Sequence, residues 1–295
     1  MAGKERQFTS GKTLLFVVAL CFACAFILSV LADVLRQPQL DARELYKSKQ
    51  LLRAAAILSD ENVFLLDGQP ALFDASKGIL VPGAEQKARD RDILTLFESR
   101  ILARLTNETG EIFTFEQAGL EEEEYMRDNA KYGFAKRPYK LVYIVQPNLP
   151  SENRPYGYVI PINGYGLWDA IYGYLGIDSN GDTVLGMTWY DQKETPGLGG
   201  EIALPEWQQQ FYNKVIFQKN PDGSTNFSRA PLGIKVVKTT VEETLGKTPM
   251  ADSAVDGIAG ASITITGVNE ALRSSLAPYR PFLIRAHNKE IKIDG

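Results

Sequence analysis

Histidine and cysteine are almost absent from this chain of 295 residues. The one histidine is His287, and the two cysteines, Cys21 and Cys24, both lie in an apolar segment near the N-terminus. A His/Cys zinc site in the rest of the chain and a disulfide framework are therefore excluded, and a Ser-His-Asp triad would have to use His287. We expect the two cysteines to pack in lipid or against another helix; a redox or metal role would need ligands from another subunit.

An excess of positive charge is also missing, because 32 lysines and arginines face 36 aspartates and glutamates, giving a net charge of -4. Nucleic acid as the main partner is therefore disfavoured, since phosphate binding needs a basic face. With 44% hydrophobic and 23% charged residues, the chain has the composition of a folded protein. Its length allows one large domain or two modest ones.

An uncharged apolar segment of 20 residues, 13–32, lies near the N-terminus. As a helix it would span about 30 Å, the thickness of the hydrocarbon core of a bilayer, so it predicts a transmembrane helix. Lys4, Arg6 and Lys12 precede it, which favours a cytoplasmic N-terminus, residues 1–12, and a body outside the cytoplasm. A cleaved signal peptide is the alternative, although the apolar part of such a peptide usually has only about 7–15 residues.

Residues 33–154 predict a membrane-proximal region of mixed pattern. It begins with an amphipathic helix over residues 33–59 and continues with a charged helical stretch over residues 85–105. Four consecutive glutamates, residues 121–124, indicate a solvated helix start or loop. We interpret this region as an elaboration packed on the domain that follows.

Strand patterns dominate from residue 139. Residues 141–145, 158–162 and 183–190 are rich in β-branched and aromatic side chains and predict strands, whereas residues 167–175 predict a helix. Residues 178–182 predict a hairpin turn; a calcium loop is the alternative, but the required glycine and distant glutamate are missing. The expected fold is α+β, with one N-terminal transmembrane helix followed by a mixed, mainly antiparallel sheet domain with flanking helices.

Two glycine-rich segments are the candidates for chemistry, and the first is residues 194–202. Gly197, Gly199 and Gly200 leave the backbone unshielded, so a flat or anionic ligand can approach its N–H groups. The segment is not a Walker loop, because no Gly-Lys-Ser/Thr follows, and its spacing is not that of a dinucleotide fingerprint. A tight loop without a ligand is the alternative interpretation.

The second glycine-rich segment is residues 255–268, in which small residues surround the Ser262 hydroxyl and a helix pattern follows. A helix N-terminus offers free N–H groups and a positive dipole end, which suit a phosphate group. A plain strand-turn-helix junction with Thr266 as the N-cap is the alternative.

Residues 164–168, 194–202 and 256–264 together resemble the flavin-binding domains that carry FMN through a phosphoester bond. Their order, and the single N-terminal apolar helix, are similar to the C subunits of sodium-translocating NADH:quinone oxidoreductases. The resemblance covers residues 155–276 strongly and implies an FMN-binding domain there, followed by a C-terminal tail over residues 277–295.

The resemblance also implies which residue carries the cofactor. The family pattern Asp-x-Leu/Ile-Ser/Thr-Gly-Ala-Thr-x-Thr holds FMN on the threonine after Gly-Ala, and Ser262 stands at that position. Serine can form the same bond, since its hydroxyl is equivalent; Ala259 is a second departure, and Thr264 is the alternative acceptor. Asp256 is expected either to hold the loop or to position the metal-bearing flavin transferase.

Further cofactor-binding residues follow from the same resemblance. Gly260 and Ala261 are expected to keep the surroundings of the acceptor small, while the first glycine-rich loop brings backbone N–H groups near the isoalloxazine ring or the ribityl chain. Apolar side chains are expected to form walls around the ring. The implied residues are Thr195, Gly197, Leu198, Gly199 and Gly200 in the loop and Leu167, Trp168 and Leu198 in the walls.

As a function, the resemblance implies a membrane-anchored electron carrier in a complex that oxidises NADH, reduces quinone and exports sodium. The implied partners are the other membrane subunits and, during maturation, a flavin transferase. The implied location is the bacterial inner membrane, with the C-terminal domain on the periplasmic side. The alternatives are the G subunit of an Rnf-type electron-transport complex, a flavin-domain reductase acting on a small acceptor, and a non-redox assembly subunit without covalent flavin.

Overall fold

A computed structural model of the chain describes residues 10–292. Most of the expected cytoplasmic N-terminus, and residues 293–295 of the expected C-terminal tail, lie outside the described residues. The chain divides into two compact units, Met1–Lys47 and Ser48–Gly295. The first contains most of the first helix, and the second contains the three sheets of the described residues.

The first helix, α1 (Ser10–Ala54), includes the apolar segment and most of the helix expected over residues 33–59. It is the one helix in the described part of the chain that is long and apolar enough to cross a membrane. Cys21 and Cys24 are exposed on it. Its last turn belongs to the second unit, where Leu51 and Leu52 are fully buried.

A small antiparallel sheet follows, built from β1 (Phe64–Leu66), β2 (Gln69–Asp74) and β3 (Ile79–Pro82). Helix α2 (Asp90–Arg100) comes next and is shorter than the helical stretch expected over residues 85–105. The last part of that stretch is a strand, because its residues pair with a neighbouring strand of the main sheet.

The main sheet has six strands, and every neighbouring pair is antiparallel. It starts before residue 154 and continues beyond it, so the region we expected to be an elaboration contributes three of its strands. The elements in chain order are β4 (Ile101–Thr106), β5 (Ile112–Phe113), helix α3 (Glu122–Asn129), β6 (Lys140–Val145), β7 (Gly157–Tyr165), β8 (Ala170–Asp178) and β9 (Val184–Asp191), and the spatial order is β5-β4-β6-β7-β8-β9. The antiparallel α+β fold is therefore confirmed, and α3 begins at the glutamate run as expected.

The prediction of a helix over residues 167–175 is wrong. Most of that segment belongs to β8, which pairs with β7 along its full length. Ile171 and Leu175 face one side of the sheet and are fully buried, as a period of two requires. Gly173 between them disfavours a helix. The correction matters for the site, because residues 166–169 become the tip of a hairpin.

The C-terminal part of the chain covers one face of the main sheet. It contains a short 3-10 helix (Gly199–Ala203), α4 (Pro205–Gln208), the parallel pair β10 (Lys235–Val236) and β11 (Ala254–Val255) with α5 (Val241–Leu245) between them, α6 (Ser262–Leu276) and α7 (Arg280–His287). Helix α6 is fixed to β7 through Ser275, whose hydroxyl accepts a hydrogen bond from the Asn163 N–H and donates one to its carbonyl, both at 3.2 Å. This contact places the first turn of α6 near the tip of the β7–β8 hairpin.

Candidate functional site

Three segments that are distant in sequence line one cavity of about 250 Å³. They are the tip of the β7–β8 hairpin, the loop after β9 and the first turn of α6. At Ile263 the cavity adjoins a wider groove of about 650 Å³ beside α6. The residues that line the smaller cavity are Leu167, Glu194, Thr195, Leu198, Gly199, Gly260, Ala261, Ser262, Ile263 and Thr264.

The first turn of α6 presents an exposed hydroxyl to this cavity. The helix begins at Ser262, which is exposed, and Ala261 before it provides no side-chain cap. Thr266 is not the N-cap, because its hydroxyl donates to the carbonyl oxygen of Ser262 at 2.9 Å inside the first turn. Gly260 has a φ of +76°, a left-handed conformation that favours glycine, and it directs the chain into the helix.

Thr264 differs sharply from Ser262 although only one residue separates them. It is 1% exposed, and its hydroxyl donates a hydrogen bond to the Glu194 carboxylate. The alternative acceptor is therefore a buried hydroxyl that already has a partner, whereas the hydroxyl of Ser262 lies at the surface.

Glu194 is the residue that joins the three segments. Its side chain is buried, and its carboxylate accepts hydrogen bonds from the Leu167 and Trp168 N–H groups, both at 3.0 Å, as well as from Thr264. Burial raises the pKa of this carboxyl, but the hydrogen bonds outweigh burial and the pKa lies below its ordinary value of 4.5. Sequence reasoning did not identify Glu194 as a site residue; its place at the start of the glycine-rich segment was the available signal.

The loop after β9 uses several of its own N–H groups internally. Gly197 donates to the Glu201 carboxylate at 3.0 Å, and Leu198 and Gly200 donate to the Thr195 carbonyl at 3.1 and 2.9 Å. These three amides are therefore engaged within the loop, in contrast to the expectation that the loop directs them at a ligand. The loop instead offers the side chains of Thr195 and Leu198 to the cavity.

Exposed apolar side chains surround the cavity. The expected wall residues Leu167, Trp168 and Leu198 are all exposed, with Trp168 at 68%, and the Trp168 indole N–H donates to the Thr195 hydroxyl at 3.0 Å. Two further exposed apolar residues lie here, Ile263 lining both the cavity and the wider groove and Tyr165 lining the groove, and sequence reasoning missed both. Large exposed apolar side chains grouped together mark a binding surface.

Asp256 does not line the cavity. Its carboxylate accepts the Val241 N–H at 2.7 Å at the start of α5, and its own N–H donates to the Gln210 side chain at 2.9 Å. This geometry corresponds to the first of its two expected roles, because it holds the loop before α6.

Comparisons with known proteins find relatives that match most of this chain. The family described as FMN-binding domain matches residues 166–277. The chain is 37% identical over 292 residues to the C subunit of the Na(+)-translocating NADH-quinone reductase of Chlamydia caviae, covering 92% of this chain and 91% of that protein. It is 30% identical to the subunit of the same name from Yersinia pestis, covering 96% and 95%. The crystal structure of that subunit from Parabacteroides distasonis matches with a TM-score of 0.54 and 26% identity, over 84% of this chain and 96% of the other.

Proposed function

This chain belongs to the family of C subunits of the Na(+)-translocating NADH-quinone reductases, and we propose that it carries electrons in such a complex through FMN joined by a phosphoester bond to Ser262. The observation that carries the attachment site is the contrast between two hydroxyls on one helical turn. The Ser262 hydroxyl is exposed beside the cavity, while the Thr264 hydroxyl is buried and bonded to Glu194.

The first turn of α6 suits the phosphate group of FMN. The first N–H groups of a helix have no partner within the helix, and they lie at the positive end of its dipole. Ala261 leaves them without a side-chain cap. Gly260 precedes the acceptor with a φ of +76°, which favours glycine, and it leaves this approach free of a side chain.

The apolar walls suit the ring system. FMN supplies one- and two-electron transfer when bound, and the surrounding residues set its potential by burial and hydrogen bonding. Leu167, Leu198 and Ile263 would shield one side of the ring from water, and Trp168 would lie at its border. No side chain needs to act as an acid or base when only electrons pass.

A covalent bond is well matched to a site this shallow. The wall residues are strongly exposed, so non-covalent contacts alone would retain the cofactor weakly. With Ser262 as the anchor, retention no longer depends on affinity, and an edge of the ring can stay open to partner subunits. We therefore propose that the other subunits of the complex exchange electrons at this edge, and that a flavin transferase attaches the cofactor.

The apolar part of α1 is proposed to anchor the chain in the bacterial inner membrane. The segment of residues 13–32 carries no charge, and its large side chains are exposed along the helix, as contact with lipid requires. The FMN-binding domain would then lie on the periplasmic side, as the lysines and arginine before the segment favour. Quinone reduction and sodium export would belong to the whole complex.

Peptide mass spectrometry tests the attachment directly. The full chain is produced with a flavin transferase, digested, and compared with the chain produced without one. Bond formation joins the Ser262 oxygen to the phosphorus of FMN with the net loss of one water, so the peptide containing Ser262 should gain the mass of FMN less one water.

The same experiment separates the alternatives. Added mass on Thr264 would keep the covalent flavin and refute the assigned acceptor. Absence of added mass and of flavin colour, in a chain that assembles normally, would favour the non-redox assembly subunit.

A further inference from the structure

One buried carboxylate holds the cavity together from inside the chain. Glu194 is 5% exposed, and its two oxygens accept three hydrogen bonds. One oxygen receives the Leu167 N–H and the Thr264 hydroxyl, and the other receives the Trp168 N–H. The donors belong to the hairpin tip and to α6, so a single side chain fixes two walls of the cavity relative to the loop that carries it.

Two glycines make room for this carboxylate. A Cβ at Gly166 would overlap one Glu194 oxygen. A Cβ at Gly199 would overlap the Thr264 hydroxyl and would lie 2.9 Å from the other Glu194 oxygen. Contacts this short are not tolerated, so these glycines serve the internal hydrogen-bond network, not the approach of a ligand.

We propose that Glu194 is a positioning residue that assembles the flavin site before the cofactor arrives and directs attachment to Ser262 by keeping the Thr264 hydroxyl engaged. The first half of this inference concerns the chain without cofactor. The second half rests on the proposed function, because it explains why one of two nearby hydroxyls receives the flavin.

The charge of the carboxylate is essential to this role. A glutamine side chain in its place has one acceptor oxygen and one NH₂ group, and NH₂ is itself a donor. Whichever way the amide turns, its NH₂ group would face the Trp168 N–H or the Leu167 N–H, donor against donor, whereas the Thr264 hydroxyl can turn to accept. Glu194→Gln therefore keeps the size of the side chain and breaks the network.

Hydrogen exchange in the full chain, produced without flavin transferase, tests the first half. In Glu194→Gln, the Leu167 amide, the Trp168 amide or both should exchange about tenfold faster or more, the scale of a lost hydrogen bond to a charged group. Glu206→Gln is the matched control, since Glu206 is exposed and the substitution changes charge equally. Unchanged exchange of both amides in Glu194→Gln would overturn the proposal, whatever the state of the flavin.

Glu194→Gln produced with the flavin transferase tests the second half: part of the FMN mass should appear on Thr264, whose hydroxyl is no longer held by the carboxylate, and FMN mass on Ser262 alone would contradict that half. A further variant tests the division of roles between the two hydroxyls and does not depend on the folding of Glu194→Gln. Thr264→Val keeps the shape of the side chain and removes its hydroxyl. With the transferase present, the Ser262 peptide of this variant should still gain the mass of FMN less one water. Loss of that mass in a folded Thr264→Val chain would contradict the division of roles between the two hydroxyls. Absence of mass from the unmodified sequence as well would instead count against the proposed function.

Discussion

The Thr264 hydroxyl donates its hydrogen bond to the carboxylate of Glu194, which lies 70 residues earlier in the chain. This contact joins the first turn of the longest helix of the FMN-binding domain to the loop that follows the edge strand of the main sheet. It distinguishes the two hydroxyls of the turn, because it occupies Thr264 and leaves Ser262 open. We therefore expect changes at either end of this contact to alter the stability of the site.

The stability contribution of Glu194 should depend on pH. Its pKa in the folded chain lies below the ordinary value of 4.5. The contribution is therefore fully present above pH 4.5, and it is lost as the pH falls through the lower folded-state pKa. At neutral pH we expect Glu194→Gln to lower the free energy of unfolding by about 1–3 kcal/mol.

Urea denaturation of the unmodified chain and of Glu194→Gln across a pH series measures this difference. The difference in the free energy of unfolding between the two chains should be constant above pH 4.5 and should shrink below it. The reason is that the Glu194 carboxylate takes up a proton at low pH and a glutamine side chain does not. A gap that stays the same down to the acid transition would mean that ionisation of Glu194 contributes nothing.

The cost of a side chain at Gly199 should depend on Thr264. Gly199→Ala brings a methyl group against the Thr264 hydroxyl, and such overpacking costs about 1–3 kcal/mol. In a Thr264→Ala background the nearest clashing atom is gone, so the cost of Gly199→Ala should fall. Gly197→Ala is the control, because its φ is +75° and a Cβ there has nothing within 4 Å. The cost of Gly197→Ala, measured by denaturation, should be equal in both backgrounds. If the cost of Gly199→Ala is also equal in both backgrounds, the packing argument is refuted.

Asp256 should act on stability and not on attachment. Asp256→Ala removes the acceptor for the Val241 N–H and should cost about 1 kcal/mol, as the loss of a helix cap does. Asp256→Asn keeps an acceptor oxygen and should retain most of that stability. Both variants should gain the FMN mass on Ser262. A folded Asp256→Asn chain that fails to gain it would assign Asp256 to the transferase reaction.

Trp168 should control the environment of the flavin without controlling its retention. Trp168→Phe shortens an exposed wall and removes the hydrogen bond to Thr195. The covalent mass should be unchanged, while iodide should quench the flavin fluorescence more strongly because water and ions reach the ring more easily. Tyr212→Phe, at an exposed position outside the cavity, is the control and should change neither. If iodide quenches the flavin fluorescence of Trp168→Phe no more than that of the unmodified chain, Trp168 does not shield the flavin.

Much of the fold can be predicted from the sequence because its signals are local. The uncharged segment predicts a helix, and the alternation of β-branched and aromatic residues predicts β6, β7 and β9. The helix prediction for β8 is wrong because the apolar residues of this strand fit both patterns, and pairing with β7 decides between them. The local pattern of residues 85–105 predicts a helix throughout. Its last residues form β4 instead, because they pair with β6, which is distant in sequence.

The site can also be predicted in part, because some of its signals are local in sequence. The two glycine-rich segments and the 164–168 segment are identified by their residue types, and the structure places them around one cavity. The role of Glu194 cannot be inferred, because a carboxylate in a loop is ordinarily solvated and only the tertiary fold buries it. The residue type of Gly199 suggests access for a ligand, yet this glycine is needed for the space that the carboxylate and the Thr264 hydroxyl occupy.

The assignment of Ser262 is tested most directly by comparing the intact masses of Ser262→Ala and Thr264→Val, each produced as the full chain with a flavin transferase. Neither substitution changes a charge, and both replace a hydroxyl on the same helical turn, so each serves as the control for the other. We expect Thr264→Val to carry the mass of one FMN less one water and Ser262→Ala to carry none. A flavin mass on Ser262→Ala would contradict the assignment of Ser262 as the anchor of the cofactor.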